Sequence, residues 1–156
     1  MKKSTRKTII EFATEKDLKL IIKGIKEICN IEKQKPKKEA ILINNIKKAI
    51  RNKRIIIAKR DNKKIGFIQF TFSNKEPYGL DYGKRKKYCW IEWMYVVKNC
   101  RRKGIGDIMF KNIINICKKN RVNEVMLDVF EVNKNAREFY KKERFDSFIN
   151  IMKKRI

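Results

Sequence analysis

Apolar residues change their spacing several times along the chain, and each change marks an element. Thr8 to Phe12 is a short apolar run that reads as a strand. Thr14 and Asp17 are spaced as a variant capping box, and after them Leu18, Ile21, Ile22, Ile25 and Ile28 fall at helical intervals. A charged segment around Pro36 separates this helix from a second pattern, Ile41, Leu42, Asn45, Ile46 and Ala49, which stops near Asn52. Arg54 to Arg60 and Lys64 to Ser73 are β-rich runs joined by Asp61-Asn62-Lys63, a composition that predicts a hairpin. A polar loop from Asn74 to Lys87, carrying Pro77, Gly79 and Gly83, leads into the most apolar run, Tyr88 to Val97, expected to be a central strand. A helix follows over Gly104 to Asn120, with Ile105, Ile108, Met109, Ile113, Ile116 and Cys117 on one face. Glu124 to Phe130 predicts a strand, Asn133 to Glu143 a short helix and Ser147 to Met152 a closing strand.

The unit from Tyr88 to Phe130 is a strand, helix, strand crossover, which pairs its strands in parallel, whereas the hairpin before it is antiparallel. The expected class is therefore α/β with a mixed sheet, and ligands in such sheets gather at the carboxyl ends of the strands. At 156 residues the chain has the length of a single domain, 1–156. No apolar run reaches the roughly 18 residues of a membrane span, and the start, MKKSTRKTII, lacks a signal-peptide core. A cytoplasmic protein is expected.

Composition narrows the chemistry. There is no histidine, which removes Ser-His and Cys-His nucleophiles and the commonest general base. Cys29, Cys89, Cys100 and Cys117 are single and widely spaced, so no metal site is expected. Cys100 reads as a small turn residue before it reads as a reactive thiol. The net charge of +25 attracts polyanions, RNA included, in a salt-sensitive way. Its lysines are spread along the whole chain, as compositional drift would spread them, without a concentrated basic tail.

The most informative stretch is Val96 to Asp107, where the apolar strand runs into Arg101-Arg102-Lys103-Gly104-Ile105-Gly106 and opens a helix. Free N–H groups of a first helical turn and the helix dipole favour an anion, and glycines let it approach the backbone. A P-loop needs four residues between its glycines and then Gly-Lys-Ser/Thr; a dinucleotide fingerprint needs GxGxxG with an acidic residue about twenty positions on. Neither is present. The RxxGxG spacing of Arg101, Gly104 and Gly106 resembles the pyrophosphate segment of the GNAT superfamily of N-acetyltransferases. Asn133, Ala136 and Tyr140 resemble that family's NxxAxxxY helix, and the element order is similar from about Lys7 onward. One departure stands out: Arg144 occupies the position after the last helix where the family places glycine.

The resemblance implies a GNAT fold, a mixed sheet of six to seven strands with about four helices, and acetyl-CoA as donor without a metal. Its pyrophosphate would lie on the amides of Arg102, Lys103, Gly104, Ile105, Gly106 and Asp107, with Arg101 a further cofactor-binding residue. Its pantetheine arm would follow Tyr95, Val96 and Val97, with the Val96 N–H at the thioester carbonyl and Asn133 as a side-chain contact. The reaction implied is direct attack by a primary amine in a ternary complex. An alkylammonium is only about 0.04% neutral at pH 7, so deprotonation costs roughly 4 to 5 kcal/mol and needs a base. Glu92, a lone carboxylate in an apolar strand, is the candidate; burial would raise its pKa, and a structural ion pair is the competing reading. It also matches the strand glutamate of small-amine acetyltransferases. The resemblance makes Tyr140 the acid for the departing thiolate, a core aromatic being its alternative. A β-bulge would swap the face on which Glu92 lies.

Glu92, Asp128 and Glu131 favour a small cationic acceptor, polyamine or aminoglycoside-like, shaped by the loops Ile31 to Lys38 and Asn74 to Lys87. A protein amino group is the second reading. A non-catalytic nucleic-acid module and an acyl-CoA sensor are the readings outside catalysis. Relatives are often dimers, which leaves a homodimer open.

Overall fold

The structure, a computed structural model, describes residues 7–75 and 87–156. The expected loop Asn74 to Lys87 therefore lies, apart from its ends, outside the described residues. The chain enters through β1 (Ile9–Phe12), whose end meets the cap at Thr14. There the Asp17 carboxylate accepts from the Thr14 N–H at 2.7 Å and from its hydroxyl at 3.1 Å, as the spacing of the two residues predicts. Lys64 Nζ sits 2.6 Å from the other oxygen of this buried acid. Burial acts to raise the Asp17 pKa, but the bonds from Lys64 and Thr14 outweigh it and hold the carboxyl below its usual range.

Two amphipathic helices follow, α1 (Leu18–Ile31) and α2 (Glu39–Arg51), then β2 (Ile55–Arg60) and β3 (Lys63–Ser73). The hairpin turn places Asp61 and Asn62 at positive φ, 51° and 57°, the conformation that short Asx side chains tolerate. β4 (Tyr88–Val96), α3 (Ile105–Lys119), β5 (Glu124–Leu127) and α4 (Lys134–Lys142) complete the chain. The strands are ordered β1-β2-β3-β4-β5, antiparallel except for the parallel pair β4 and β5. β3 is thus the middle strand, with β4 beside it.

The sheet buries both faces. On one, Ile21, Ile25, Leu42 and Ile46 of α1 and α2 cover Ile55, Ile57, Phe67 and Tyr95. On the other, Ile105, Met109, Ile113 and Cys117 of α3 cover Ile56, Ile68, Phe70, Cys89 and Ile91. Phe110 joins the buried side of α3, while Ile108, expected there, is exposed. Gly24 lets α1 come down onto the sheet: a Cβ there would stand 2.6 Å from the Phe67 ring and 2.7 Å from Tyr95.

Five strands form among the described residues, fewer than the six to seven expected. Ser147 to Met152 alternates like a strand but takes no regular structure, and Phe148, Ile151 and Met152 are exposed, Met152 at 91%. β5 itself is short, ending at Leu127 where Phe130 was expected. Helix α4 ends with Arg144 at φ 63°, the left-handed conformation that the missing glycine would have taken. Phe145 N–H closes the turn on the Tyr140 carbonyl at 3.0 Å, and the Phe145 ring packs 5.4 Å from Phe110.

Candidate active site

β4 and β5 pair over only four positions, Tyr88 with Glu124 through Ile91 with Leu127. From Glu92 onward β4 keeps its bonds to β3 and has no strand partner on the other edge among the described residues. The result is a gap between diverging parallel strands, at their carboxyl ends. Backbone polarity within the gap follows from one bond. The Val97 N–H donates to the Ile65 carbonyl of β3 at 2.9 Å, so strand alternation turns the backbone of Val96, and of Met94, toward the gap. Tyr95 turns its backbone toward β3. Met94 was missed in the sequence because backbone exposure leaves no signature in residue type.

The β3–β4 register slips between Gln69 and Phe70: Gln69 faces Trp93 and Phe70 faces Ile91, which leaves Glu92 as the extra residue of a β-bulge. Ile91 points to the α3 side and Met94 does the same, so Glu92 and Trp93 both lie on the α1/α2 side. Counted back from Met94, plain alternation would put Glu92 under α3; the extra residue lets Glu92 share the α1/α2 side with Trp93 while Ile91 and Met94 both face α3. Here its Oε2 accepts from Gln69 Nε2 at 2.6 Å. Glu92 is exposed, whereas the apolar run around it predicts burial. The concave setting still removes enough water to push its carboxyl above the ordinary range, against the Gln69 hydrogen bond and the charge of Lys37.

The basic turn has three parts with different surroundings. Arg101 is folded inward: Nε donates to the Val96 carbonyl at 2.8 Å, Nη2 reaches Glu27 at 2.5 Å, and the guanidinium lies 5.7 Å from the Tyr95 ring centre. Tyr95 donates to the same Glu27 at 2.7 Å. Burial and the Glu27 bond push the Tyr95 phenol up to about 12. This latch ties the end of β4 to α1. Arg102 and Lys103 are exposed; Arg102, at φ 59°, leans 3.4 Å from Glu138 and 3.5 Å from Asn135, and Lys103 donates to the Asn99 carbonyl at 2.8 Å.

The third part is the helix start. Gly104 caps α3 at φ 74° with no side-chain cap, and the first helical bond is Ile108 N–H to Gly104 carbonyl at 3.1 Å. The N–H groups of Ile105, Gly106 and Asp107 therefore have no acceptor within the helix. A Cβ on Gly104 would meet only Asp107, at 3.8 Å, whereas one on Gly106 would meet Phe139 at 2.9 Å and Met94 at 3.2 Å. Gly106 is thus a packing glycine that lets α4 close on α3. Lys142 of α4 holds Asp107 at 2.9 Å from the same direction.

Helix α4 and the end of α1 close the other side. Asn133 caps α4, accepting from Ala136 N–H at 3.3 Å, and its amide donates to Glu32 at 3.0 Å. Glu32, just past α1, was not anticipated. Burial raises its pKa, the Asn133 bond opposes this and nearby Asp128 adds to it. The Tyr140 ring lies 5.5 Å from both Phe139 and Phe145, and burial, then Glu32 and Asp128, push its phenol well above the usual range. Glu131, expected near the acceptor, pairs instead with Arg137 at 2.5 Å on the surface.

Comparison with known proteins agrees with this architecture. Residues 22–144 match the model of the acetyltransferase (GNAT) family, and the chain belongs to that family. No curated protein matches the sequence. Among solved structures, a possible acetyltransferase from Clostridium difficile 630 is 23% identical, with 96% of this chain and 97% of that one covered at a TM-score of 0.73. A predicted acetyltransferase from Clostridium acetobutylicum, solved with acetyl-CoA, is 20% identical, with 96% of both chains covered and a TM-score of 0.74. An aminoglycoside acetyltransferase from an uncultured soil metagenomic sample, solved with sisomicin, is 18% identical, covering 96% of this chain and 95% of that one at 0.68. At these identities the likeness is one of fold. No helix among the described residues is long and apolar enough to cross a membrane.

Proposed function

We propose that this acetyltransferase moves an acetyl group from acetyl-CoA to a small primary amine, by direct attack within a ternary complex. The observation that carries the reading is the parting of β4 from β5 at Glu92, beside an uncapped α3 start. An open strand edge can bind an extended amide-bearing arm as a further strand would bind it. The unfilled first-turn amides and Arg102 and Lys103 suit a pyrophosphate. Acetyl-CoA supplies the acyl group as an activated thioester.

The chain's own groups divide the remaining work. Glu92 takes the proton from the acceptor nitrogen; its raised pKa brings it nearer the working pH, where a base is most effective. The Val96 N–H, fixed by the Arg101 bond to its own carbonyl, polarises the acyl oxygen. Tyr140 stays protonated across the physiological range and donates a hydrogen bond to the departing sulfur. It is thereby the group that can give the departing thiolate its proton, with solvent restoring it afterwards. Glu32 and Asp128, close to Tyr140, add negative charge that suits an acceptor with a second ammonium group, as polyamines and aminoglycosides have. The 156 residues act as one acetyltransferase domain, in the cytoplasm, where four free cysteines remain reduced.

Thermal unfolding at about 150 mM salt, with acetyl-CoA and with ATP as a polyanion control, tests the donor. At about 100 times the dissociation constant, binding adds roughly 2.7 kcal/mol, a shift of about 5 to 10 °C. Equal shifts with ATP would make the basic surface a general anion collector and overturn the donor site. Thiol release measured with sisomicin, spermidine and a peptide bearing a free N-terminus then ranks the acceptors. Turnover of the peptide alone would move the acceptor class to protein amino groups.

A further inference from the structure

Gln69 is the polar exception in a strand that is otherwise sealed. Its neighbours on β3, Phe67, Ile68 and Phe70, are buried, and Gln69 itself is only 5% exposed. A buried amide has two groups to satisfy, and here one is left over. Nε2 donates to Glu92 at 2.6 Å, while Oε1 is buried with no hydrogen-bond partner among the described residues. An unmet buried carbonyl is costly, and an apolar residue would fill the site without that cost. The retained amide therefore points to a task at Glu92.

We infer that Gln69 is a positioning residue that holds Glu92 Oε2 across the bulge, leaves Oε1 of Glu92 free for the acceptor's proton, and supports the carboxyl in both protonation states. The amide suits both states because its N–H can donate to a carboxylate oxygen and to the carbonyl oxygen of a carboxylic acid alike. When Glu92 is ionised, the Gln69 Nε2–H donates to it. When Glu92 has taken the proton on Oε1, Oε2 becomes the carbonyl oxygen of the acid and goes on accepting, more weakly, from the same Nε2–H. The proton goes from the acceptor nitrogen to Glu92 and later to solvent, and Gln69 neither gains nor loses one. From β3 only Gln69 reaches Glu92 with a hydrogen bond, and Lys37, between α1 and α2, is the charge that acts on it among the described residues. Lys37 acts on Glu92 by its charge, whereas Gln69 is bonded to it directly, so the group that responds to Glu92 is Gln69. This inference rests on Glu92 being the base.

The test is Gln69→Met, which keeps the volume and removes the amide, with Gln69→Leu as a second variant. The Glu92 carboxyl is followed by carbon-13 NMR titration, its signal assigned by Glu92→Gln, alongside thermal unfolding. Loss of the donor raises the Glu92 pKa by about one unit, while Tm stays level or rises because the unmet carbonyl is gone. The acid limb of kcat/KM, measured with the amine that turns over fastest, moves up with the carboxyl. An unmoved carboxyl in a folded variant, or a large fall in Tm with an unmoved carboxyl, makes Gln69 structural and overturns the inference. A carboxyl that moves while the rate profile stays fixed supports the Gln69 coupling and overturns Glu92 as the base.

Discussion

From Tyr88 to Ile91, β4 is hydrogen-bonded on both edges and its Cys89 and Ile91 side chains are sealed beneath α3; from Glu92 to Val96 it is bonded on one edge and faces a gap on the other. The change happens within one residue, at the bulge. The first half contributes stability through buried apolar area. The second half forgoes half of its ladder and keeps backbone groups available for a ligand, and it is anchored instead by side chains: Arg101 on the Val96 carbonyl and Glu27 on Arg101 and Tyr95. A binding strand needs open hydrogen-bonding groups, which a paired strand lacks, so rigidity has to come from outside the ladder.

If that division is right, substitutions in the two halves fail in different ways. Glu92→Gln should lower kcat/KM by about 10² to 10⁴-fold, the usual range for a lost general base, with Tm unchanged because the side chain is exposed; activity within a few-fold of the parent would end the assignment. Ile91→Ala, one residue away and 3% exposed, should cost about 2 to 5 kcal/mol in urea unfolding. Acetyl-CoA affinity per folded molecule should stay the same. Equal loss of affinity would mean that the two halves are not separable.

Gly106→Val probes the seam between them. Its side chain would strike Phe139 and Met94, costing about 1 to 3 kcal/mol and weakening acetyl-CoA binding, since both the helix start and Met94 line the gap. Calorimetric titration showing intact affinity would confine Gly106 to packing. The smallest effect concerns the latch. The Tyr95 phenol is raised from 10 to about 12, so its contribution is complete below pH 10 and is lost as pH rises through about 12. Stability measured over that window should fall more steeply in the parent than in Tyr95→Phe, and parallel curves would show that the Glu27 bond contributes nothing.

The long helices and the hairpin were legible because their apolar spacing and turn residues are local properties. Arg101, Gly104, Gly106, Asn133 and Tyr140 were legible as motifs because their spacing is written in the chain. Other features depended on contacts. Ser147 to Met152 has a strand's alternation, yet strands exist only in pairs and among the described residues none pairs with it. Ile108 and Phe110 exchange roles on α3 because α4 and Phe145, distant in sequence, cover Phe110. Glu32 gave no signal, being one charged residue in a charged loop that comes near Asp128 and Tyr140 only after folding.

What the sequence determined by itself is the order of elements, the glycine-bearing helix start after the apolar strand and the presence of one carboxylate within that strand, since each follows from neighbours along the chain. Only the tertiary structure decided which face Glu92 occupies, what the Arg101 side chain holds and which backbone groups stay open. A one-residue slip against β3 reverses every side chain beyond it, and that slip is fixed by pairing between residues more than twenty positions apart.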